Sequence, residues 1–406
     1  MPLIVQKFGG SSVGTPERIL NVARRVLATQ QAGNGVVTVV SAMSGVTDSL
    51  IKLARQVSSS PTERELDVLL ATGEQTTIAL LAMAINAMGG RAISLTGAQA
   101  GIRTDGIHTK AKIANISPRQ IRAHLREGLI CIVAGFQGQT VSGQITTLGR
   151  GGSDLTAIAI AAALRADNCE IYTDVDGIYT CDPRIVPEAG KIPEIAYDEL
   201  LEMASSGSKV MQSRSVEFAK KFRVPFEVRS SLNSNHGTLV KEETPGLENV
   251  VVRGVSVERN QAKVTITNVP DRPGAASRIF TALSDAHIVV DVIVQNISVS
   301  GATDISFTLN RDELDKIGPA LDRVVAEIGA GEVIRKNGIA KLSVVGIGMR
   351  SHSGVAARLF EALGEGGINI QMISTSEIKI AVIIHEEKIE EAARLAHAAF
   401  GLGQAG

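Results

Sequence analysis

Leu3-Ile4-Val5-Gln6-Lys7-Phe8-Gly9-Gly10-Ser11-Ser12 is a mostly apolar run that ends in a lysine, two glycines and two hydroxyls. Leu3–Phe8 reads as a buried strand, since a short apolar run bounded by a glycine pair fits a parallel-sheet strand. A helix start follows. Thr15 can cap it, Pro16 suits the first helical position, and Glu17 faces the positive helix end. Strand, glycine turn and helix in that order open an α/β domain.

The pattern continues outward. Val36–Val40, Ala92–Leu95, Ile130–Ala134 and Glu170–Thr173 read as further buried strands, with helical segments near Asp48–Val57, Glu65–Met88, Pro118–Glu127 and Leu155–Ala166. This alternation predicts a mostly parallel open sheet covered by helices on both faces. Special residues gather where the strands end: Gly9-Gly10, Ser41, Thr96-Gly97, Gly135 and Asp174. Open α/β sheets bind ligands on that carboxyl edge.

After Arg229 the composition shifts. Ser230-Ser231-Leu232-Asn233-Ser234-Asn235-His236-Gly237 and Glu242-Glu243-Thr244-Pro245-Gly246 are polar and turn-rich, which predicts a linker region. Beyond it lies a repeat. Pro273-Gly274-Ala275-Ala276-Ser277-Arg278-Ile279-Phe280-Thr281-Ala282-Leu283 recurs as Ser353-Gly354-Val355-Ala356-Ala357-Arg358-Leu359-Phe360-Glu361-Ala362-Leu363. Each copy reads as strand, glycine turn, helix, strand, strand, helix, which fits a small βαββαβ unit.

Composition narrows the function. The 406 residues suggest two to four domains at roughly 100–200 residues each. With a formal net charge of -1, no bulk attraction to nucleic acid or anionic lipid is expected, so any bound anion must be held by local cations. The absence of Trp argues against base-stacking platforms. Cys131, Cys169 and Cys181 form no metal pattern and read as free thiols of a reducing compartment. The start lacks a signal-peptide pattern, and the apolar stretch Ile78–Met88 is too short to span a bilayer, so a cytoplasmic protein is expected.

Four motifs carry chemistry. Lys7 to Ser12 can hold a phosphate, glycine N–H groups approaching the anion and lysine adding a point charge; a plain glycine turn is the bland alternative. Gly149-Arg150-Gly151-Gly152-Ser153-Asp154 leads into a helix, an anion site at a positive helix end with a guanidinium suited to a carboxylate. Asp154 there could simply be a cap. Thr173-Asp174-Val175-Asp176-Gly177-Ile178-Tyr179 with Asp182-Pro183-Arg184 suits a nucleotide, although such Asp-Gly and Asp-Pro pairs also make ordinary turns. Glu74 in Gly73-Glu74-Gln75 is either a surface charge or a partner for an ammonium group. Neither G-x-G-x-x-G after the first strand nor G-x-x-x-x-G-K-[ST] occurs, which leaves a phosphate enzyme of another fold.

Together these motifs resemble the amino-acid kinase family, and within it the members that phosphorylate aspartate. Lys7-Phe8-Gly9-Gly10-Ser11-Ser12-Val13 is similar to the family's K-[FY]-G-G-[ST]-S-V. Val40 to Thr47 resembles V-S-A-M-x-G-x-T, Leu148 to Asp154 resembles L-G-R-G-G-S-D, and Thr173 to Arg184 resembles T-D-V-x-G-[IV]-Y-T-x-D-P-R. The paired repeats resemble two ferredoxin-like ACT domains. The resemblance implies a catalytic domain over 1–245, a linker or strand over 246–262, and ACT domains over 263–338 and 339–406. It implies that Lys7, Gly9 and Gly10 hold the ATP phosphates and the moving phosphoryl group. Lys209 would reach the phosphates as well. Thr173, Asp174, Tyr179 and Arg184 would bind the nucleotide. Arg150 would clamp the substrate α-carboxylate, Glu74 and Asp154 would face its ammonium, and Ser41, Thr47 and Ser153 would add hydrogen bonds. Magnesium would arrive with ATP, no protein cage for a metal being visible in the sequence.

The resemblance further implies feedback by lysine, threonine or both, with Asp271, Gly274, Ala275, Gln295, Ile368, Asn369 and Ser374 as candidate effector contacts. It implies assembly into a dimer or tetramer through the ACT domains and, in some relatives, a shorter regulatory subunit made from an internal start. Two other readings stay open at this stage: a related kinase acting on glutamate, acetylglutamate or a nucleoside monophosphate, and a non-catalytic amino-acid sensor on a kinase relic.

Overall fold

The computed structural model describes residues 1–208, 210–242, 251–296, 301–350 and 352–404. The chain forms two compact units. The first is drawn from 1–178, 191–204 and the described part of 209–245; the second is drawn from 179–190, 205–208 and the described part of 246–406.

In the first unit the elements run β1 (Leu3–Phe8), α1 (Pro16–Gln31), β2 (Gly35–Val40), α2 (Val46–Val57), α3 (Glu63–Ala87), β3 (Ala92–Leu95), β4 (Ile102–Thr104), β5 (Ile113–Ile116), α4 (Arg119–Arg126), β6 (Ile130–Ala134), β7 (Gln137–Gln139), β8 (Ile145–Thr147), α5 (Gly152–Leu164), β9 (Asn168–Thr173), β10 (Glu194–Ala196), α6 (Tyr197–Ser205), α7 (Ser213–Phe222), β11 (Phe226–Ser230) and β12 (Thr238–Lys241). Eight strands make one sheet in the order β10-β12-β11-β9-β1-β2-β6-β3, and only β11 with β12 is antiparallel. β2 and β6 are buried along their whole length, as apolar runs covered on both faces must be. All five strands expected from the sequence stand in this sheet.

Local chemistry sets the helices that frame it. Thr15 caps α1, its hydroxyl accepting the Arg18 N–H at 3.3 Å, with Pro16 and Glu17 in the first turn. α5 is rich in Ala and Ile around its whole circumference, so it buries nearly every side chain against β1, β2 and β9. α3 is long and apolar enough by composition to cross a bilayer, but it packs on α1, β3, β6 and β8, and over half of that apolar window is buried; it is a core helix. The three cysteines are free and buried. Burial pushes the Cys131 thiol up to about 12 and the Cys181 thiol up to about 11. A second, four-stranded sheet, β5-β4-β7-β8, has strands of three or four residues and gave no periodic signal in the sequence.

The second unit runs β13 (Gly254–Pro270), α8 (Ala275–Asp285), β14 (Val290–Gln295), β15 (Ala302–Asn310), α9 (Gly318–Ile328), β16 (Val333–Val345), α10 (Val355–Glu365), β17 (Met372–Thr375), β18 (Lys379–His385) and α11 (Ile389–Ala399). The repeat is visible in its geometry: α8 follows Gly274 at φ +94° and α10 follows Gly354 at φ +95°, a left-handed backbone that favours glycine. All six strands form one sheet, β14-β15-β13-β16-β18-β17. β13 serves both copies. Its Gly254–Glu258 stretch pairs with Lys341–Val345 of β16, while Gln261–Ile266 pairs with β15. The stretch from Gly254 to Ala262, expected as linker or entering strand, is therefore strand.

Residues 179–190 also pack into this unit. Cys181 and Val186 lie in an apolar core with Leu359, Leu363, Ile384 and Ala393. The Thr180 hydroxyl lies 2.9 Å from His397 Nε2, and Arg394 donates to the Ile185 carbonyl at 3.2 Å.

Candidate active site

The chain runs from β1 to β2, on to the edge strand β3 and back to β6 between them, then crosses to β9 on the other side of β1. The crevice at the carboxyl ends of β1, β2 and β9 is therefore the topological switch point, where such sheets bind ligands. Backbone bonds bring the strand ends together there: Gly9 N–H donates to Tyr172 O at 3.2 Å, Ser41 N–H to Phe8 O at 3.1 Å, and Gly135 N–H to Val40 O at 3.0 Å.

Lys7 stands at the end of β1 and is almost buried. Its Nζ lies 2.6 Å from Asp154 Oδ1, in the first turn of α5. The glycines after it allow close approach. A Cβ on Gly10 would stand 2.9 Å from the Ala42 carbonyl oxygen, and one on Gly9 would stand 3.3 Å from Lys7 Nζ. Glu74, on α3, is only 3% exposed, which rules out the surface reading. Its Oε1 accepts the Ala42 N–H at 3.0 Å, while its buried Oε2 has no hydrogen-bond partner among the described residues. Burial pushes its carboxyl up to about 7, against the lowering pull of that amide. Ser153 is buried against the end of β6, where a Cβ on Gly135 would come within 2.7 Å of its hydroxyl.

The structure thus gathers Lys7, Gly9, Gly10, Ser41, Glu74, Ser153 and Asp154. Thr173 lies at the end of the neighbouring β9, donating its hydroxyl to Asp174 Oδ1 at 3.0 Å, and Asp174 is exposed. Thr47 is half-buried in the first turn of α2. Arg150 is exposed between Gly149 and Gly151, both with positive φ. Tyr179 and Arg184 belong to the second unit, where Arg184 clasps Asp182 at 2.6 Å. Lys209 lies outside the described residues.

Among the candidate effector residues, Gly274 and Ala275 open α8, Gln295 ends β14, and Ser374 sits on β17. Asp271 donates its N–H to Gly301 O at 3.0 Å, and Asn369 is exposed. Ile368 is buried in the apolar core, and its N–H is spent on Leu363 O at 2.9 Å, so neither its side chain nor its amide is open to a ligand.

Sequence reading missed Arg214. From α7 it donates to Leu148 O and to Ala111 O, both at 2.7 Å, bracing the loop that carries Arg150. Nothing local marks it, because its partners are backbone carbonyls far away in sequence. Among the described residues no group of three or more His, Cys, Asp or Glu side chains gathers to hold a metal ion.

Residues 2–230 match the amino acid kinase family, and residues 263–326 and 342–400 each match an ACT domain. The chain is 53% identical over 403 residues to an aspartate kinase of Pseudomonas putida, covering 99% of this chain and 98% of that protein. Its fold is similar to E. coli aspartokinase III in complex with aspartate and ADP in the R-state, with TM-score 0.81, 26% identity, and coverage of 98% of this chain and 99% of that one. The T-state of the same E. coli enzyme, in complex with lysine and aspartate, gives TM-score 0.77 at 26% identity, covering 98% and 99%. The matched family models and the full-length likeness agree with the α/β sheet and the repeated βαββαβ fold: this chain belongs to the aspartate kinases of the amino acid kinase family, with two ACT domains after the kinase domain.

Proposed function

We propose that the chain transfers the γ-phosphoryl group of ATP to the side-chain carboxylate of L-aspartate, giving 4-phospho-L-aspartate, at the carboxyl edge of its parallel sheet. One observation carries this reading: the buried Lys7–Asp154 ion pair stands at the same strand-end edge as Glu74, which is held to the Ala42 N–H beside Gly10 and keeps an unpartnered Oε2. A free carboxylate of this kind has a pKa of about 3.9, so the acceptor is already an anion at neutral pH and needs no general base. The difficulty is bringing that anion to a polyanion. Lys7 supplies positive charge where it is needed, and the Gly10 N–H can approach phosphate oxygens, while Gly9, whose own N–H is held by Tyr172 O, leaves room beside the lysine. Glu74 and Asp154 take the α-ammonium, Arg150 takes the α-carboxylate, and Ser41, Thr47 and Ser153 add hydrogen bonds. Thr173 and Asp174 face the nucleotide; Tyr179, Arg184 and Lys209 join them on the motif alone. Magnesium would be held chiefly by the phosphates and water, supplying charge neutralisation.

Hydroxylamine trapping of the acyl phosphate tests the substrate. Hydroxamate should form with aspartate and ATP and not with glutamate; equal yields with both would overturn the assignment. Asp154→Ala should raise the aspartate KM about 10- to 100-fold, the loss of a charged hydrogen bond of about 1.5–3 kcal/mol, while the ATP KM moves less. Equal effects on both substrates would place Asp154 elsewhere in the mechanism.

The same reading makes this the first step toward lysine, threonine and methionine, throttled through the ACT domains by lysine, threonine or both. The lysine-bound T-state of the E. coli relative supports lysine as an effector. Activity measured with lysine and threonine, singly and together, tests it. Assembly through the ACT domains and a cytoplasmic location belong to the same proposal.

A further inference from the structure

Asp67 was not a candidate at the sequence level, yet its carboxylate meets three residues from two other stretches of the chain. It sits on α3 and is fully buried. His108 Nδ1 lies 2.7 Å from its Oδ2. The Thr109 N–H donates to both carboxylate oxygens at 3.1 Å, and the Thr147 hydroxyl donates to Oδ1 at 2.5 Å. One carboxylate therefore ties three separate stretches together: α3, the β4–β5 loop, and β8. With the imidazole proton on Nδ1, the three groups that meet Asp67 are all donors, as an ionised carboxylate requires.

The connection leads to Arg150. Thr109 holds a left-handed backbone at φ +63°, a conformation that costs a β-branched residue and persists only when neighbours impose it. Its carbonyl lies beneath Gly149, where a Cβ would stand 3.3 Å from the Thr109 oxygen. Ala111 N–H donates to Thr147 O at 2.9 Å, and Arg214 bridges the carbonyls of Ala111 and Leu148. The loop carrying Arg150 is thus braced by Thr109, which Asp67 fixes, and by Arg214. Asp67 also shares α3 with Glu74.

We propose that Asp67, with His108, is a positioning residue of the substrate site: it sets the Gly149–Arg150 loop against the helix that presents Glu74. It thereby fixes the separation of the groups that hold the α-carboxylate and the α-ammonium of the amino acid. This rests on the reading of Arg150 as the α-carboxylate clamp. Burying a carboxylate is costly unless it is fully hydrogen-bonded, and a satisfied buried network holds one arrangement. Shifts of about 1 Å in a substrate-binding group are enough to cost up to about 10²-fold.

The test uses the full-length chain with Asp67→Asn, His108→Gln, Arg150→Ala and the Asp67→Asn/Arg150→Ala double variant. An Asn at 67 meets one of its donors with its own N–H, so the brace loosens at constant size. Asp67→Asn and His108→Gln should each raise the aspartate KM about tenfold, with kcat and the ATP KM within about twofold of the parent. The double variant should show little beyond Arg150→Ala, because both changes act through one group. A lowered Tm with every kinetic constant of the folded enzyme at the parent value would reduce Asp67 to a structural role and overturn the proposal. So would a parallel rise in the ATP KM. If Asp67→Asn does not fold, His108→Gln decides by the same criteria. Should Arg150→Ala leave the aspartate KM unchanged, the clamp reading fails; should it raise the KM while Asp67→Asn and His108→Gln do not, the positioning proposal fails alone.

Discussion

Lys7→Ala should lower kcat about 10²- to 10³-fold while the aspartate KM stays within about threefold of the parent. That magnitude is typical for removing one group aimed at charge that develops in the transition state. Lys7 is suited to this role by where it stands. It ends β1 at the switch point, it is nearly buried, and its ammonium lies 2.6 Å from Asp154. Little competing solvent reaches it, so its charge acts at short range on a transferring phosphoryl group. The substitution also leaves Asp154 buried without its counter-charge, which should cost about 3–5 kcal/mol of stability. Steady-state kinetics on folded protein, checked by a thermal melt, separates the two effects. Arginine is a poor rescue, since Gly9 already lies close to the ammonium and leaves no room for a guanidinium. A Lys7→Ala enzyme with near-normal kcat and a raised aspartate KM would refute the role.

Glu74→Gln should raise the aspartate KM about 10²-fold at pH 8, as expected for losing one partner of a buried charge pair. The glutamine can still accept the Ala42 N–H, so the local backbone need not move. The pH profile is the sharper test. Burial lifts the Glu74 carboxyl from 4.5 to about 7, so in the free enzyme the anion that meets an ammonium forms only as pH rises through that value. The parent enzyme's aspartate KM should therefore climb as pH falls below about 7, and the variant should lack that dependence. Stability runs the other way. A carboxyl whose folded value is raised favours the folded state fully below its unfolded value of 4.5, and that contribution is lost as pH rises toward about 7. Without substrate, Glu74→Gln should match the parent near pH 4 and exceed it at pH 8, by at most about 3 kcal/mol. Thermal melts across that range measure it. A variant that keeps the parent's KM profile would remove Glu74 from the ammonium site.

Much of the kinase unit was legible because its signals are local. An apolar run ending in Lys7-Phe8-Gly9-Gly10, a Thr15–Pro16–Glu17 helix start and the Ala/Ile-rich helix after Ser153-Asp154 each declare themselves within a few residues. Strand ends carry the polar residues, so the motif residues and the sheet edge could be linked before any coordinates. The repeat after the linker was legible for the same reason: a strand, a glycine with positive φ and a helix recur in order.

What the sequence determined by itself was the alternating α/β order, the chemistry at the strand ends, the repeated βαββαβ unit and the membership in a kinase family. Tertiary structure alone decided which oxygen of Glu74 is left unpartnered, that Asp154 faces Lys7, that Gly254–Glu258 completes the sheet of the second repeat, and that residues 179–190 pack with α11. It alone brought Asp67 to His108, Thr109 and Thr147, and Arg214 to the carbonyls of Ala111 and Leu148. The physical reason is distance along the chain. Backbone propensity and hydrophobic period act over a few residues, whereas a buried ion pair, a shared strand or a carboxylate joining a helix, a loop and a strand links residues far apart in sequence, and only packing chooses which of them meet.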